Sequence, residues 1–250
     1  MSKTHVSPEH WFQITYLMCA SGHSPSASEL TRRYPYSDKT ISKLMHAIRY
    51  QMGKCMDWKF ENAIIEVDGA GVYTGKKGYD KHFRFKAGRG SQRKATIIVI
   101  RERGQRVKLF KAHSEDLESV LELLKEHVDK ETCIIATDEL ATYNKLRALG
   151  YAHVVVNHSG EKDKTKRWKN GIASTNRAEG IFSLLKRTMR GGYINISDPY
   201  LQNYLNEIAF KVSYAQEYDY GFEILIRSFG SLYDYYRDKF PNETGREDAA

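Results

Sequence analysis

The apolar spacing of this 250-residue chain changes period near residue 62, and that break divides what it can fold into. Upstream, Trp11, Ile14, Leu17 and Met18 recur at helical intervals. Downstream, AIIEVDGAGVY reads as a buried strand that ends on an acidic residue, and ATIIVIRERGQRVKLFKAH as two strands around Arg103-Gly104. Ser114 then caps an amphipathic helix, SEDLESVLELLKEHV, with Leu117, Val120, Leu121 and Leu124 on one stripe. The strand TCIIATD, the helix ELATYNKLRALG stopped by Gly150, and the strand HVVVN follow, which predicts an α/β domain with a central mixed sheet. A further helix carries SLLKRTMR, and two aromatic-rich helices and a polar tail close the chain.

Upstream of the break the helix starts are explicit. Ser7-Pro8-Glu9 opens the first helix, the capping box Ser26-Ala-Ser-Glu29 opens the second, and Ser37 opens the third after a stop at Tyr34-Pro35. Helix, tight turn and helix, with Lys39, Thr40, Ser42, Lys43 and His46 expected to be exposed near the start of the last, has the layout of a helix-turn-helix DNA reader. A three-helix bundle without a ligand has the same pattern. The expected domains are an all-α helix-turn-helix domain over 1–58, an α/β domain over 59–197 and a C-terminal helical segment over 198–250.

Charge narrows the partner. Lys+Arg number 39 and Asp+Glu 31, a formal charge of +8, which favours a polyanion such as nucleic acid. Residues 61–197 hold 26 basic and 17 acidic side chains, so the surplus sits in the α/β segment. It is concentrated in two loops: Lys76, Lys77, Lys81, Arg84, Lys86, Arg89, Arg93 and Lys94 in 76–94, and Lys162, Lys164, Lys166, Arg167 and Lys169 in 161–170. Cys19, Cys55 and Cys133 are odd in number and form no CxxC pair, which suits a reducing cytoplasm. No stretch approaches 18 apolar residues and MSKTHVSPEHWF has no apolar signal core, so neither a membrane span nor secretion is expected.

Two acids stand where α/β sheets keep catalytic groups: Asp68 after IIEV and Asp138 after TCIIAT. Each alone also fits a turn or cap residue. As a pair flanked by basic loops they suit Mg²⁺, a hard cation held by one or two carboxylates and substrate phosphate oxygens. In NRAEGIFSLLKR, Glu179 precedes Lys186 by seven residues, which on a helix returns to the same face. Asn176 followed by Glu179 fits a helix cap equally well.

EVD at 66–68, TDELATYNKL at 137–146, VVVNHSGE at 154–161, STNRAEGIFSLLKRTMRGGY at 174–193 and LQNYLNEIAFK at 201–211 together resemble the DDE transposases of the insertion-sequence-1595 family, related to Merlin elements. The resemblance covers about residues 8–215. It implies an RNase H-like mixed sheet with flanking helices, preceded by a helix-turn-helix and followed by C-terminal helices. It also implies Asp68, Asp138 and Glu179 as catalytic acids and metal ligands, with Asn176 as an alternative third ligand and His158 as an active-site neighbour. The chain is similar to the short form of the family, without a zinc ribbon. It carries Gly69-Ala70-Gly71 where relatives usually have an acidic and a hydroxyl residue after the first Asp.

The implied chemistry uses two Mg²⁺ or Mn²⁺ ions for in-line displacement at phosphorus, first by water and then by the released 3′-hydroxyl. The implied partners are double-stranded DNA, as element ends and as target, and further copies of the chain in a homodimer or larger assembly. No membrane and no small-molecule substrate is expected, and the setting is the cytoplasm, on the nucleoid. Lys39, Thr40 and Lys43 would contact DNA from the third helix. Lys76, Lys77, Arg89, Arg93, Lys94, Lys166 and Arg167 would hold phosphates from the loops, and Lys186, Arg187 and Arg190 from the helix after Asn176. Two alternatives keep the same residues: a silent domesticated transposase acting as a regulator, and a nuclease that only hydrolyses.

Overall fold

A computed structural model describes residues 6–22, 24–73, 94–104, 106–137, 145–155, 169–170, 173–174, 176–191 and 196–231. These fall into two compact units, one within 1–57 and 206–250, the other within 58–205.

The first unit is helical. α1 (Pro8–Ala20), α2 (Ala27–Arg33) and α3 (Asp38–Cys55) begin where their serines predict, with Ser7, Ser26 and Ser37 accepting the amides of His10, Glu29 and Thr40. The four-residue turn between α2 and α3 is tied down by Tyr36, whose hydroxyl accepts Ser7 N–H at 3.0 Å and meets His10 Nδ1 at 2.8 Å. The end of α6 (Leu201–Ser213) and all of α7 (Tyr218–Arg227) complete this unit. Trp11, Ile14 and Met18 of α1 and Ile41, Leu44 and Ile48 of α3 are buried with Phe210, Leu225 and Phe229. The rings of Trp11 and Phe229 meet edge-on at 5.5 Å.

One ionic cluster lies inside that apolar packing. Glu207 of α6 is 0% exposed; its Oε2 accepts from Arg49 Nε of α3 at 2.6 Å, and Lys211 Nζ stands 3.0 Å from Oε1. Ser24 donates to Glu207 Oε1 and accepts from Lys211 at 2.7 Å. Buried charge is tolerated only when paired in this way.

The second unit is a five-stranded sheet of order β3-β2-β1-β4-β5: β1 (Ile64–Tyr73), β2 (Lys94–Glu102), β3 (Val107–Ala112), β4 (Ile134–Thr137) and β5 (Ala152–Val155). β1, β2 and β3 pair antiparallel, and β4 and β5 join β1 in parallel. That mixed order is the RNase H-like arrangement. α4 (Leu117–His127) covers one face, where Val120 and Leu124 pack with Ile65, Val67, Ile98, Ile100 and Ile135. Strand alternation puts Glu66, Asp68, Ile97 and Val99 on the other face, against which α5 (Asn176–Gly191) lays Ala178, Ile181, Phe182 and Leu185. Lys169–Asn170 (β6) and Ala173–Ser174 (β7) form a short hairpin.

β3 is one edge of the sheet, and Gln202 covers part of it. Its Nε2 donates to Leu109 O and its Oε1 accepts Lys111 N–H, both at 2.8 Å, as a neighbouring strand would.

Four local expectations are corrected. β1 does not end at Asp68 but runs to Tyr73, because Gly69, Ala70 and Gly71 stay in the ladder opposite Ile98, Ile97 and Thr96. A Cβ at Gly69 would meet the carboxyl end of the Glu115 side chain, which would have to swing aside. The cap of α4 is Asp116, accepting Ser119 N–H at 2.8 Å, while Ser114 donates to Asp116. The carboxylate wins because it makes the stronger, charge-assisted bond at the positive helix end. The first C-terminal helix, whose sequence LQNYLNEIAFKVSYAQEY predicts it over 201–218, ends at Ser213, and Tyr214–Glu217 turn the chain into α7. Gly150 does stop the chain before β5, at φ +83°, a conformation that suits glycine; of the helix expected over 139–150, residues 139–144 lie outside the described residues and 145–150 form a short 3-10 turn and turns rather than an α-helix.

Candidate active site

Asp68 sits in β1, opposite Val99 of β2 and two residues beyond the last β1 residue paired with β4. It is half-buried, and its Oδ1 accepts the amide of Gly69 at 2.8 Å. Period-two alternation places it on the α5 face of the sheet. Glu66, two residues earlier, shares that face; it is 0% exposed and stands opposite Arg101 of β2 and Ala136 of β4. Its Oε2 accepts the amide of Ala178, the third residue of α5, at 3.1 Å.

The first turn of α5 therefore begins over β1. Asn176 and Glu179 occupy positions one and four of that helix; their side chains lie outside the described residues. Lys186 and Arg187 are exposed about two turns further along the same helix. The helix carrying Glu179 and the strand carrying Asp68 are thus brought together.

Asp138 follows Thr137, the last residue of β4, and lies outside the described residues, as do His158, Lys76, Lys77, Arg89, Arg93, Lys166 and Arg167. Lys94 opens β2 opposite Tyr73 and Arg190 is in α5, both with side chains outside the described set. In the helical unit Lys39 is exposed, while Thr40 and Lys43 are half-buried. Thr40 meets the capping Ser37 hydroxyl at 3.0 Å.

Asp68 offers the hard oxygen donors that Mg²⁺ or Mn²⁺ takes, set on a rigid strand. Among the described residues no group of three His, Cys, Asp or Glu could hold a metal ion, and the side chains of Asp138 and Glu179 lie outside them.

Two residues carry structure here that spacing did not single out. Glu66 interrupts the buried run Ile65–Val67, and its signal was the presence of a carboxylate in a strand with apolar neighbours on both sides. His153 of β5 is 5% exposed, its Nε2 lies 2.8 Å from Thr137 Oγ1, and Arg147 Nε donates to its carbonyl. Among the described residues its buried Nδ1 has no hydrogen-bond partner. Burial, with the Arg147 guanidinium second, holds the ring below the usual histidine range and so neutral.

A histidine with a lowered folded pKa binds its proton more readily when unfolded. Stability should therefore be unaffected by this ring well above its ordinary value of 6.5 and fall as pH drops from there through the lowered folded value. Urea unfolding from about pH 8 to about pH 5 should show that decline, and His153→Gln should flatten it. Parallel profiles for the two proteins would remove His153 from the acid response.

The family of the ISXO2-like transposase domain matches residues 62–213. A search of curated proteins gives no match. Among solved structures the chain is similar to the Mos1 strand transfer complex, at 12% identity over 93% of this chain and 80% of that one, with a TM-score of 0.34. It is also similar to the Mos1 transposase paired-end complex with left transposon end, at 11% identity over 93% and 81%, with a TM-score of 0.35. Likeness at that level carries no weight on chemistry.

Proposed function

The chain belongs to the ISXO2-like transposase domain family, and from that premise we propose that it binds the inverted-repeat ends of an element, cleaves the DNA there and transfers the 3′ ends to target DNA. The observation that carries this reading is the contact of β1, the strand that carries Asp68, with the first turn of α5 through Glu66 and Ala178, on one face of an RNase H-like sheet.

Asp68, Asp138 and Glu179 would hold two Mg²⁺ or Mn²⁺ ions. Such ions, when bound, favour in-line displacement at phosphorus by stabilising the attacking and leaving oxygens. Asp68 supplies a carboxylate fixed by the ladder between β1 and β2, so its position costs no reorganisation during the reaction. Lys186, two turns beyond Glu179, would meet the phosphate beside the cleaved bond. The α2–turn–α3 unit would read the ends through Lys39, Thr40 and Lys43, and the two basic loops would hold backbone phosphates. Joining two ends calls for a homodimer or larger assembly on DNA. Among the described residues no helix is long and apolar enough to cross a membrane, and the proposed setting is the cytoplasm, on the nucleoid.

The choice of third acid is tested by Glu179→Gln and Asn176→Ala. Cleavage of end DNA with Mn²⁺ should vanish in the first and persist in the second. The reverse pattern would make Glu179 a helix cap and Asn176 the ligand.

The thirteen cations of 76–94 and 161–170 predict the salt response. Replacing Lys76, Lys77, Arg89, Arg93 and Lys94 with Ala should flatten the slope of log affinity against log salt by roughly 0.9 for each phosphate no longer neutralised. An unaltered slope would place the DNA elsewhere.

A further inference from the structure

We propose that Glu66 is a positioning residue for DNA cleavage: its buried carboxylate fixes where the first turn of α5, with Asn176 and Glu179, stands against Asp68. This rests on the reading of that site as catalytic.

The four described helices before α5 each start with a local cap. In α1, α2, α3 and α4 the amide of the third helical residue, His10, Glu29, Thr40 or Ser119, is bonded by the helix's own preceding cap, Ser7, Ser26, Ser37 or Asp116. In α5 the equivalent amide, Ala178 N–H, goes to Glu66 Oε2 on β1, 112 residues away. A local cap fixes only the start of its own helix. A cap from the sheet also fixes the helix along its axis relative to a strand, here the strand that carries Asp68.

The chemistry makes that tie a firm one. The amide is one of the four that an α-helix leaves unsatisfied at its positive end, and a carboxylate acceptor bonds it about twice as strongly as a neutral one. Glu66 is 0% exposed, a costly place for a carboxylate unless it is held by specific partners. The apolar packing of Ile181, Phe182 and Leu185 fixes which face of α5 meets the sheet but tolerates sliding better than a directed bond. Sliding by one residue moves the helix about 1.5 Å, and a misplacement of about 1 Å at a catalytic group can lower a rate about 10²-fold.

The test compares the full chain with Glu66→Gln, Glu66→Ala and Asp68→Asn. Its readouts are single-turnover cleavage of end DNA with Mn²⁺ per folded molecule, affinity for that DNA, and amide exchange at residues 178–180. Glu66→Gln keeps a carbonyl oxygen for Ala178 and should cleave within about tenfold of the parent. Glu66→Ala should bind DNA ends unchanged, cleave about 10²-fold more slowly and exchange its α5 first-turn amides faster. Parental cleavage per folded Glu66→Ala molecule would overturn the proposal and leave Glu66 a structural cap. Glu66→Gln as inactive as Asp68→Asn would overturn it in favour of a metal ligand. If the parent cuts no DNA, the catalytic reading itself falls; if the parent cuts and Glu66→Ala matches it, only the role of Glu66 falls.

Discussion

Asp68→Asn is expected to lower cleavage of end DNA by about 10³-fold or more, because on the proposed reading it removes a metal ligand and with it several kcal/mol of transition-state stabilisation, and each 1.36 kcal/mol is tenfold in rate. Affinity for the same DNA should stay within about threefold, since backbone phosphates are held by basic side chains and not by this carboxylate. Asn is nearly isosteric, its side-chain oxygen can still accept the Gly69 amide, and the β1–β2 ladder around it is backbone. The fold should therefore survive, and thermal melting of the variant verifies that. Cleavage within tenfold of the parent would take Asp68 out of the chemistry.

The second large effect concerns stability. Glu207→Leu removes the carboxylate on which Arg49, Lys211 and Ser24 converge and leaves two cations facing an apolar interior. Breaking a buried pair from one side costs about 3–5 kcal/mol, whereas replacing both partners with apolar residues is far milder. Urea unfolding should thus show a severe loss for Glu207→Leu and a partial recovery for Arg49→Met/Glu207→Leu. A double variant no more stable than the single one would mean that the cluster's worth lies in Ser24 and Lys211 rather than in the tie between α3 and α6.

Much of this was legible locally. The serine starts of α1 to α3, the stripe of α4 and the break to strand period near residue 62 depend on neighbours within a few residues, and the structure follows them. What depends on distant partners was not legible. Asp68 reads as a strand end, but β2, about 27 residues away in the ladder, keeps Gly69-Ala70-Gly71 extended beyond it. Glu207 reads as one polar position on an amphipathic helix until Arg49, 158 residues away, is set beside it. For the site, spacing singled out Asp68 and the Glu179–Lys186 face. Glu66 escaped because its role is the amide of Ala178, and a strand-to-helix bond across 112 residues leaves no local pattern.

The most direct measurement of the central claim is an assay for joined DNA. Purified protein, a duplex carrying a pre-cut inverted-repeat end and a target plasmid are incubated with Mn²⁺ or with EDTA. The account predicts covalent joining of the end's 3′-hydroxyl strand to target DNA with Mn²⁺, none with EDTA, and none from Asp68→Asn. End DNA that is bound but never joined would contradict it: cutting without joining would indicate a hydrolytic nuclease, and binding alone a DNA-binding regulator on a transposase fold.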